Sequence, residues 1–247
     1  MLGRIIPTLE WSGENVKKFW DFYSNYPELY FTYQYGARIV ETLLPYINSN
    51  SRILDYGCGT GFLIDNLIGK DLKIYGIDLS PASVRTVNEK FKNATDFKGA
   101  WPNEDVVNNA EYVGFFDVVF LIEVVEHLDD ENLKNVLAST KKLLRQGGKL
   151  IITTPNEEDL EASFVYCPES GKVFHRWQHV RSWSMKSLEE HVSAFGFKTE
   201  YMFTTDFAAQ REEKFLRYYF GKLIGKLRST RTNTSSGPHL VYIGNSI

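Results

Sequence analysis

Two rhythms of apolar residues alternate along most of this chain. Short runs carrying Ile, Leu, Val or Phe stand at 52–56, 73–77, 96–99, 117–122 and 149–154. Such compact apolar runs suit strands buried on both faces. Between them, apolar residues return every three or four positions at 62–69, 81–92 and 131–145, as helices that cover a sheet require. Strand and helix in regular alternation predict parallel strands joined by helical crossovers. The third of these helices reads as ending at Gly147-Gly148. Ahead of the core, Glu14–Tyr23 and Tyr33–Ile47 predict two helices rich in Trp and Tyr. Behind it the pattern predicts a helix over Met185–Phe195, stopped by Gly196, then strands over Phe197–Thr204 and His239–Ile243. After Pro155 the rhythm fails for about 25 residues, long enough to expect a functional loop.

The turn after the first strand carries the sharpest signal: Ile53-Leu54-Asp55-Tyr56-Gly57-Cys58-Gly59-Thr60-Gly61, followed by a helix. Alternate glycines permit positive φ and a ligand's close approach to the backbone. The helix N-terminus offers unpaired N–H groups to the same space. The second strand then ends at Tyr75-Gly76-Ile77-Asp78, with a carboxylate suited to ribose hydroxyls. The spacing is Gly-x-Gly-x-Gly, and Phe62 stands where a dinucleotide site would place its last glycine.

This block resembles the first motifs of the class I S-adenosylmethionine-dependent methyltransferases, a resemblance extending over about residues 35 to 200. It implies a Rossmann-like α/β fold with a seven-stranded, mostly parallel sheet, helices on both faces, and the last two strands as a hairpin. It also implies an N-terminal helical cap over residues 1–48 and a cofactor-binding domain over 49–247. The cofactor would be S-adenosylmethionine, held by Asp55, Gly57, Cys58, Gly59, Gly61, Asp78, Leu79 and Ile122. Many relatives carry an acid after the third strand. Here the chain reads Gly99-Ala100-Trp101-Pro102, so Trp101 either stacks on the adenine or packs beneath the loop.

Composition narrows the setting. A 247-residue chain with 43% hydrophobic and 24% charged residues suits one large globular domain. A net charge of −3 exerts no global pull toward nucleic acid. The two cysteines, Cys58 and Cys167, form no pairing pattern, and no secretory or membrane-spanning run is visible. A soluble cytoplasmic protein is expected.

The fourth strand runs into Glu123-Val124-Val125-Glu126-His127, where a parallel sheet opens its ligand crevice. Transfer from a sulfonium needs alignment and, for an oxygen acceptor, removal of a proton. His127 could be the base. Glu-x-x-Glu-His, with the Trp177-Gln178-His179 stretch, also resembles small-RNA 2′-O-methyltransferases. By that resemblance Glu123, Glu126, His127 and His179 would hold Mg²⁺ or Mn²⁺, with Glu123, His127 and His179 at the chemistry. Glu-x-x-Glu-His is equally similar to the ubiquinone-biosynthesis O-methyltransferases, and a capping role without metal stays open. A zinc knuckle at Cys167, His175 and His179 is rejected, because Ser170 stands where a second cysteine is needed. No Asn/Asp-Pro-Pro-aromatic motif follows the fourth strand, so by the same resemblance nucleobase amines, and DNA, are not expected acceptors.

Arg211 to Arg231 carries seven basic and two acidic residues along an apolar stripe, within an insertion at about 207–230. This stripe could contact a membrane surface or a phosphate-bearing acceptor, or form a solvated face. The expected activity is O-methylation of a small-molecule, glycan or lipid-linked acceptor. Metal-assisted RNA ribose methylation and a non-catalytic cofactor-binding protein are the alternatives.

Overall fold

The computed structural model of the protein describes residues 6–209 and 237–247. The basic stripe from Arg211 to Arg231 lies outside the described residues. Five strands, β1 (Arg52–Tyr56), β2 (Lys73–Asp78), β3 (Phe97–Pro102), β4 (Phe116–Ile122) and β5 (Leu144–Pro155), pair in parallel. A small antiparallel hairpin, β6 (Phe164–Cys167) and β7 (Lys172–His175), stands apart from the main sheet. The last two strands, β8 (Phe197–Thr205) and β9 (His239–Ser246), complete the main sheet in the order β3-β2-β1-β4-β5-β9-β8. β9 runs antiparallel to both neighbours. The expected Rossmann-like sheet is present, with its order reversing direction beside β1, where such folds place ligands.

Among the described residues seven α-helices surround the sheet: α1 (Gly13–Tyr23), α2 (Phe31–Leu43), α3 (Phe62–Leu67), α4 (Pro81–Phe91), α5 (Asn103–Val107), α6 (Asp130–Leu143) and α7 (Met185–Ser193). One core cluster joins α2, α3 and α4 to the sheet through Ile39, Leu43, Ile64 and Val87. A second joins α6 and α7 to the opposite face through Leu133, Leu137, Leu188 and Val192. Each such fully buried side chain contributes about 1.5–3 kcal/mol. Local signals start the helices. Asp129 accepts the Asn132 N–H at 2.8 Å ahead of α6, and Ser184 with Ser187 forms a capping box on α7.

Three stretches differ from expectation. α6 ends at Leu143 rather than at the glycine pair, and Leu144 already belongs to β5. Leu144 pairs with Phe116, and the register then shifts so that Lys149 meets Val118. Gly147 and Gly148 serve this shift: a Cβ on Gly148 would lie 2.9 Å from the Arg145 carbonyl oxygen. The aperiodic stretch after Pro155 contains the β6–β7 hairpin, whose strands are too short for a visible alternation. The backbone of Pro7 to Leu9 joins this hairpin: Leu9 N donates to Val173 O at 2.8 Å, and Val173 N to Pro7 O at 3.0 Å.

At the end of the sheet away from the glycine loop, Asp117 ties three strands together. It accepts from Arg52 N at 2.8 Å, Arg52 Nε at 3.1 Å and Arg145 Nε at 2.6 Å. Partial burial pushes its carboxyl up, but the hydrogen bonds prevail and bring it from 3.8 down to about 2. A carboxyl depressed on folding adds stability above its unfolded value, and that stability is lost as pH falls toward the folded value. Asp117→Asn should therefore cost about 1 kcal/mol at neutral pH, after discounting for partial exposure. Its stability should also fall less steeply than wild type from 3.8 down to about 2. Urea unfolding across that range checks both; equal pH slopes would remove Asp117 from the account.

Candidate active site

The cofactor crevice begins with two hydrogen bonds across strand ends. Gly57 N and Cys58 N both donate to Ile77 O, at 2.8 and 3.0 Å, and pin the glycine loop to β2. Gly59 and Gly61 take φ of +51° and +83°, conformations that side chains resist. Their open sides differ. A Cβ on Gly61 would lie 2.7 Å from Phe91, so this glycine allows α3 and α4 to approach. A Cβ on Gly59 would meet only Tyr30, at 3.9 Å, so it faces the crevice. Asp78 accepts Gly59 N at 2.9 Å and Ser80 N at 2.8 Å, joining the loop to the start of α4. Burial raises its carboxyl, and those two N–H groups partly offset the rise.

Asp55 is more constrained. Burial, then the charge of Asp78, pushes its carboxyl up to about 7, and its Oδ2 is buried without a partner. Such an atom calls for a donor or cation. The α-ammonium group of S-adenosylmethionine would supply one, so the residues present fit that cofactor. The other expected cofactor residues fall into different positions. Leu79 is 79% exposed at the end of β2, free to lie along a flat ligand. The Cys58 side chain packs toward Gly76 in the core, leaving its backbone to the crevice, and Ile122 is buried in the same cluster. The Trp101 ring folds back over Gly99 and stacks on Tyr75 with centroids 6.2 Å apart.

Beyond β4 the chain makes a strained turn. Glu123 adopts φ +53°, rare for a residue with a Cβ, and its N donates to Thr153 O at 2.9 Å. That turn sends the Glu123 carboxylate to the Thr153 hydroxyl at 2.8 Å, and Glu126 to the Thr154 hydroxyl at 3.0 Å. Burial, with Glu158 nearby, lifts Glu123 to about 7, and burial together with the Glu123 charge lifts Glu126 well above the usual carboxylate range. Glu126 Oε1 and His127 Nδ1 are buried without partners. His127 Nε2 lies 3.8 Å from Glu126 Oε1, and the His127 and His179 ring centroids are 4.8 Å apart.

Glu126, His127 and His179 thus converge closely enough to hold an ion. Glu123, expected with them, does not join a converging group. A second group, Glu158, His175 and His179, shares His179. Glu158 did not stand out in the sequence, because it lies where no periodic pattern exists, and His175 was named only in the rejected zinc knuckle with Cys167 and His179. Burial, and then the neighbouring histidine charges, depress His127 to about 3, so it is a neutral imidazole at physiological pH.

The N-terminal helices roof this cluster. The Trp20 ring meets His127 edge-on at 5.0 Å, and its Nε1 donates to Gln178 Oε1 at 3.1 Å. Gln178 Nε2 in turn donates to His127 O at 2.9 Å. Tyr30 reaches over Gly59, and burial with the Asp78 charge pushes its hydroxyl up to about 12. The sequence marked these helices as aromatic but did not single out Trp20 or Tyr30.

Comparison with known proteins agrees with this geometry. A family model described as a methyltransferase domain matches residues 29–201. The ubiquinone biosynthesis O-methyltransferase of Thiobacillus denitrificans is 28% identical over 155 residues. That alignment covers 58% of this chain and 60% of the relative's length. An S-adenosylmethionine-dependent methyltransferase from Clostridium acetobutylicum shares the fold with a TM-score of 0.59 at 16% identity, covering 93% of this chain and 98% of that one. So does phosphoethanolamine N-methyltransferase 2 of Haemonchus contortus, solved with S-adenosylmethionine, with a TM-score of 0.59 at 15% identity over 92% of this chain and 60% of that one. A family match spanning most of the chain makes it a member of the class I S-adenosylmethionine-dependent methyltransferases.

Proposed function

We propose that the protein methylates an oxygen on a small-molecule or lipid-linked acceptor. The observation that carries this reading is the meeting of a cofactor-fitting loop with a roofed cluster of two imidazoles and a carboxylate. The O-methyltransferase relative supports oxygen as the accepting atom. Asp55, Asp78 and the backbone from Gly57 to Gly61 hold S-adenosylmethionine in this reading. S-adenosylmethionine, when bound there, would supply an electrophilic methyl group to an acceptor oxygen. Trp20 and Tyr30 exclude water, and the Glu126–His127–His179 end aligns the acceptor hydroxyl.

Proton removal falls to the same cluster. An imidazole depressed to about 3 is neutral and free to donate a lone pair, but it holds a proton poorly. Glu126, raised by burial, is the better final acceptor of the hydroxyl proton. The same donors, one carboxylate oxygen and two imidazoles, suit a divalent cation such as Mn²⁺ or Mg²⁺, which would lower the hydroxyl pKa directly. This donor set also supports the second reading, metal-assisted methylation of an RNA ribose. Among the described residues no helix is long and apolar enough to cross a membrane. Contact with a lipid-linked acceptor would in that case occur at a surface.

Asp78→Ala should weaken S-adenosylhomocysteine binding by ~1.5–3 kcal/mol, the scale of lost charged hydrogen bonds. Gly59→Val should weaken it more, since the branched side chain enters the crevice and opposes the positive φ. Titration calorimetry reads both, and unchanged affinity in either variant would move the cofactor elsewhere. Acceptor class is tested by mass-spectrometric detection of methylated product with a catechol, a polyprenyl-linked phenol and a short RNA, each with EDTA or Mn²⁺. The phenolic acceptors should be methylated. Product on the RNA alone, lost in EDTA, would favour the second reading, and full turnover in EDTA would leave the cluster to proton transfer.

A further inference from the structure

Two groups of three donors share His179, and one imidazole cannot use the same nitrogen in both. The hydrogen bonds around His175 decide between them. His175 is 1% exposed, and its Nδ1 accepts the backbone N–H of Trp177 at 3.3 Å and of His179 at 3.2 Å. An Nδ1 that accepts carries no proton, so the proton of the neutral ring sits on Nε2. That Nε2 lies 3.2 Å from Glu158 Oε1. The other oxygen of Glu158 is 2.6 Å from His179 Nδ1. A cation held by Glu158 and His175 would have to strip His175 of its last ring proton. In this second group the hydrogen bond is the one between Glu158 and His179 Nδ1, with His175 Nε2 beside the carboxylate but not hydrogen-bonded to it, so Nδ1 of His179 is taken up by Glu158.

We propose that Glu158, itself oriented by His175, is a positioning residue that fixes His179 as the Nδ1–H tautomer and frees its Nε2 lone pair for the acceptor end of the crevice. This rests on the reading of His179 as a donor beside Glu126 and His127. A neutral histidine in water prefers the opposite tautomer, with the proton on Nε2. A carboxylate beside Nδ1 reverses that choice and holds the ring plane. The stacking of His175 on His179, with centroids 4.4 Å apart at 18°, restrains the same plane from the side. The chain of orientation thus runs from backbone N–H groups to His175, then Glu158, then His179.

Nitrogen-15 correlation spectra of the full-length protein read the tautomer without any assay of activity. His179, assigned by its loss in His179→Gln, should show a pyrrole-type Nδ1 and a pyridine-type Nε2. Glu158→Leu should reverse the two signals, and Glu158→Gln, which keeps an acceptor oxygen, should restore the wild-type pattern. Should Glu158→Leu not fold, Glu158→Ala gives the same reading. Mn²⁺ affinity, followed by electron paramagnetic resonance, should fall about 10- to 100-fold in the leucine variant. A wild-type His179 protonated at Nε2, or a leucine or alanine variant with unchanged shifts, would overturn the proposal. A wild-type protein that binds no Mn²⁺ would instead overturn only the cation reading, because the nitrogen shifts decide the role of Glu158 by themselves.

Discussion

Four carboxylates, Asp55, Asp78, Glu123 and Glu126, gather at the carboxyl edge of one parallel sheet, and little water reaches them. Burial raises each of them, and for Asp55, Glu123 and Glu126 a neighbouring carboxylate charge adds to the rise. The protein spends its local donors on this problem: two backbone N–H groups on Asp78, and the hydroxyls of Thr153 and Thr154 on Glu123 and Glu126. Two oxygens are left over, Asp55 Oδ2 and Glu126 Oε1, one at each end of the crevice. An unsatisfied buried oxygen costs on the order of 1–3 kcal/mol. A positively charged ligand removes that cost at the first position, and a proton or cation removes it at the second. In the proposed reading the folded state would thereby be coupled to occupancy, because a ligand that binds only the native chain stabilises it by mass action.

The roof is held by different physics. α1 has no buried residue, so the apolar core does not anchor it. Its hold comes from ring contacts, Trp20 edge-on to His127 and Tyr23 tilted against Trp177, and from the Trp20–Gln178 hydrogen bond. α2, by contrast, buries Ile39, Val40 and Leu43 in the core. Elements with few buried apolar contacts open at low cost, which suits a cover that must admit an acceptor. The same cover sets the dielectric in which Glu126 and His127 operate.

How much of this was legible in the sequence follows from how local each feature is. The turn from β1 to α3 and the acid at Asp78 lie on adjacent elements, and spacing alone conveyed their meeting. Glu126, His127 and His179 were named by resemblance, and they do converge. Spacing could not tell that the Glu123 carboxylate is taken up by the Thr153 hydroxyl, because its direction depends on a left-handed φ at a residue that is not glycine. Glu158 was hidden for another reason: it stands ahead of a hairpin of two four-residue strands, too short to impose a period. His175, the last residue of that hairpin, was read only with Cys167 in the rejected zinc knuckle. The glycine pair at 147–148 looked like a helix stop because glycine marks a helix end and a register shift alike.

The residues in left-handed conformation show why the two distant stretches meet. Glu123 and Gln178 have φ of +53° and +63°, and each stands where the chain reverses beside the cluster. Past Glu123, the carbonyls of Glu126 and His127 turn toward the 178–180 stretch. Past Gln178, the Val180 N–H reaches Glu126 O at 2.9 Å, while the Gln178 side chain takes His127 O. These two bonds hold His127 and His179 together before any ligand arrives. Positive φ at residues with a Cβ costs on the order of 1–3 kcal/mol each, and persists only where surrounding contacts enforce it. Here the enforcing contacts are the ones that bring the imidazoles into register. The strain and the site are therefore consequences of one arrangement, and relaxing either turn would separate the donors before it unfolded the sheet.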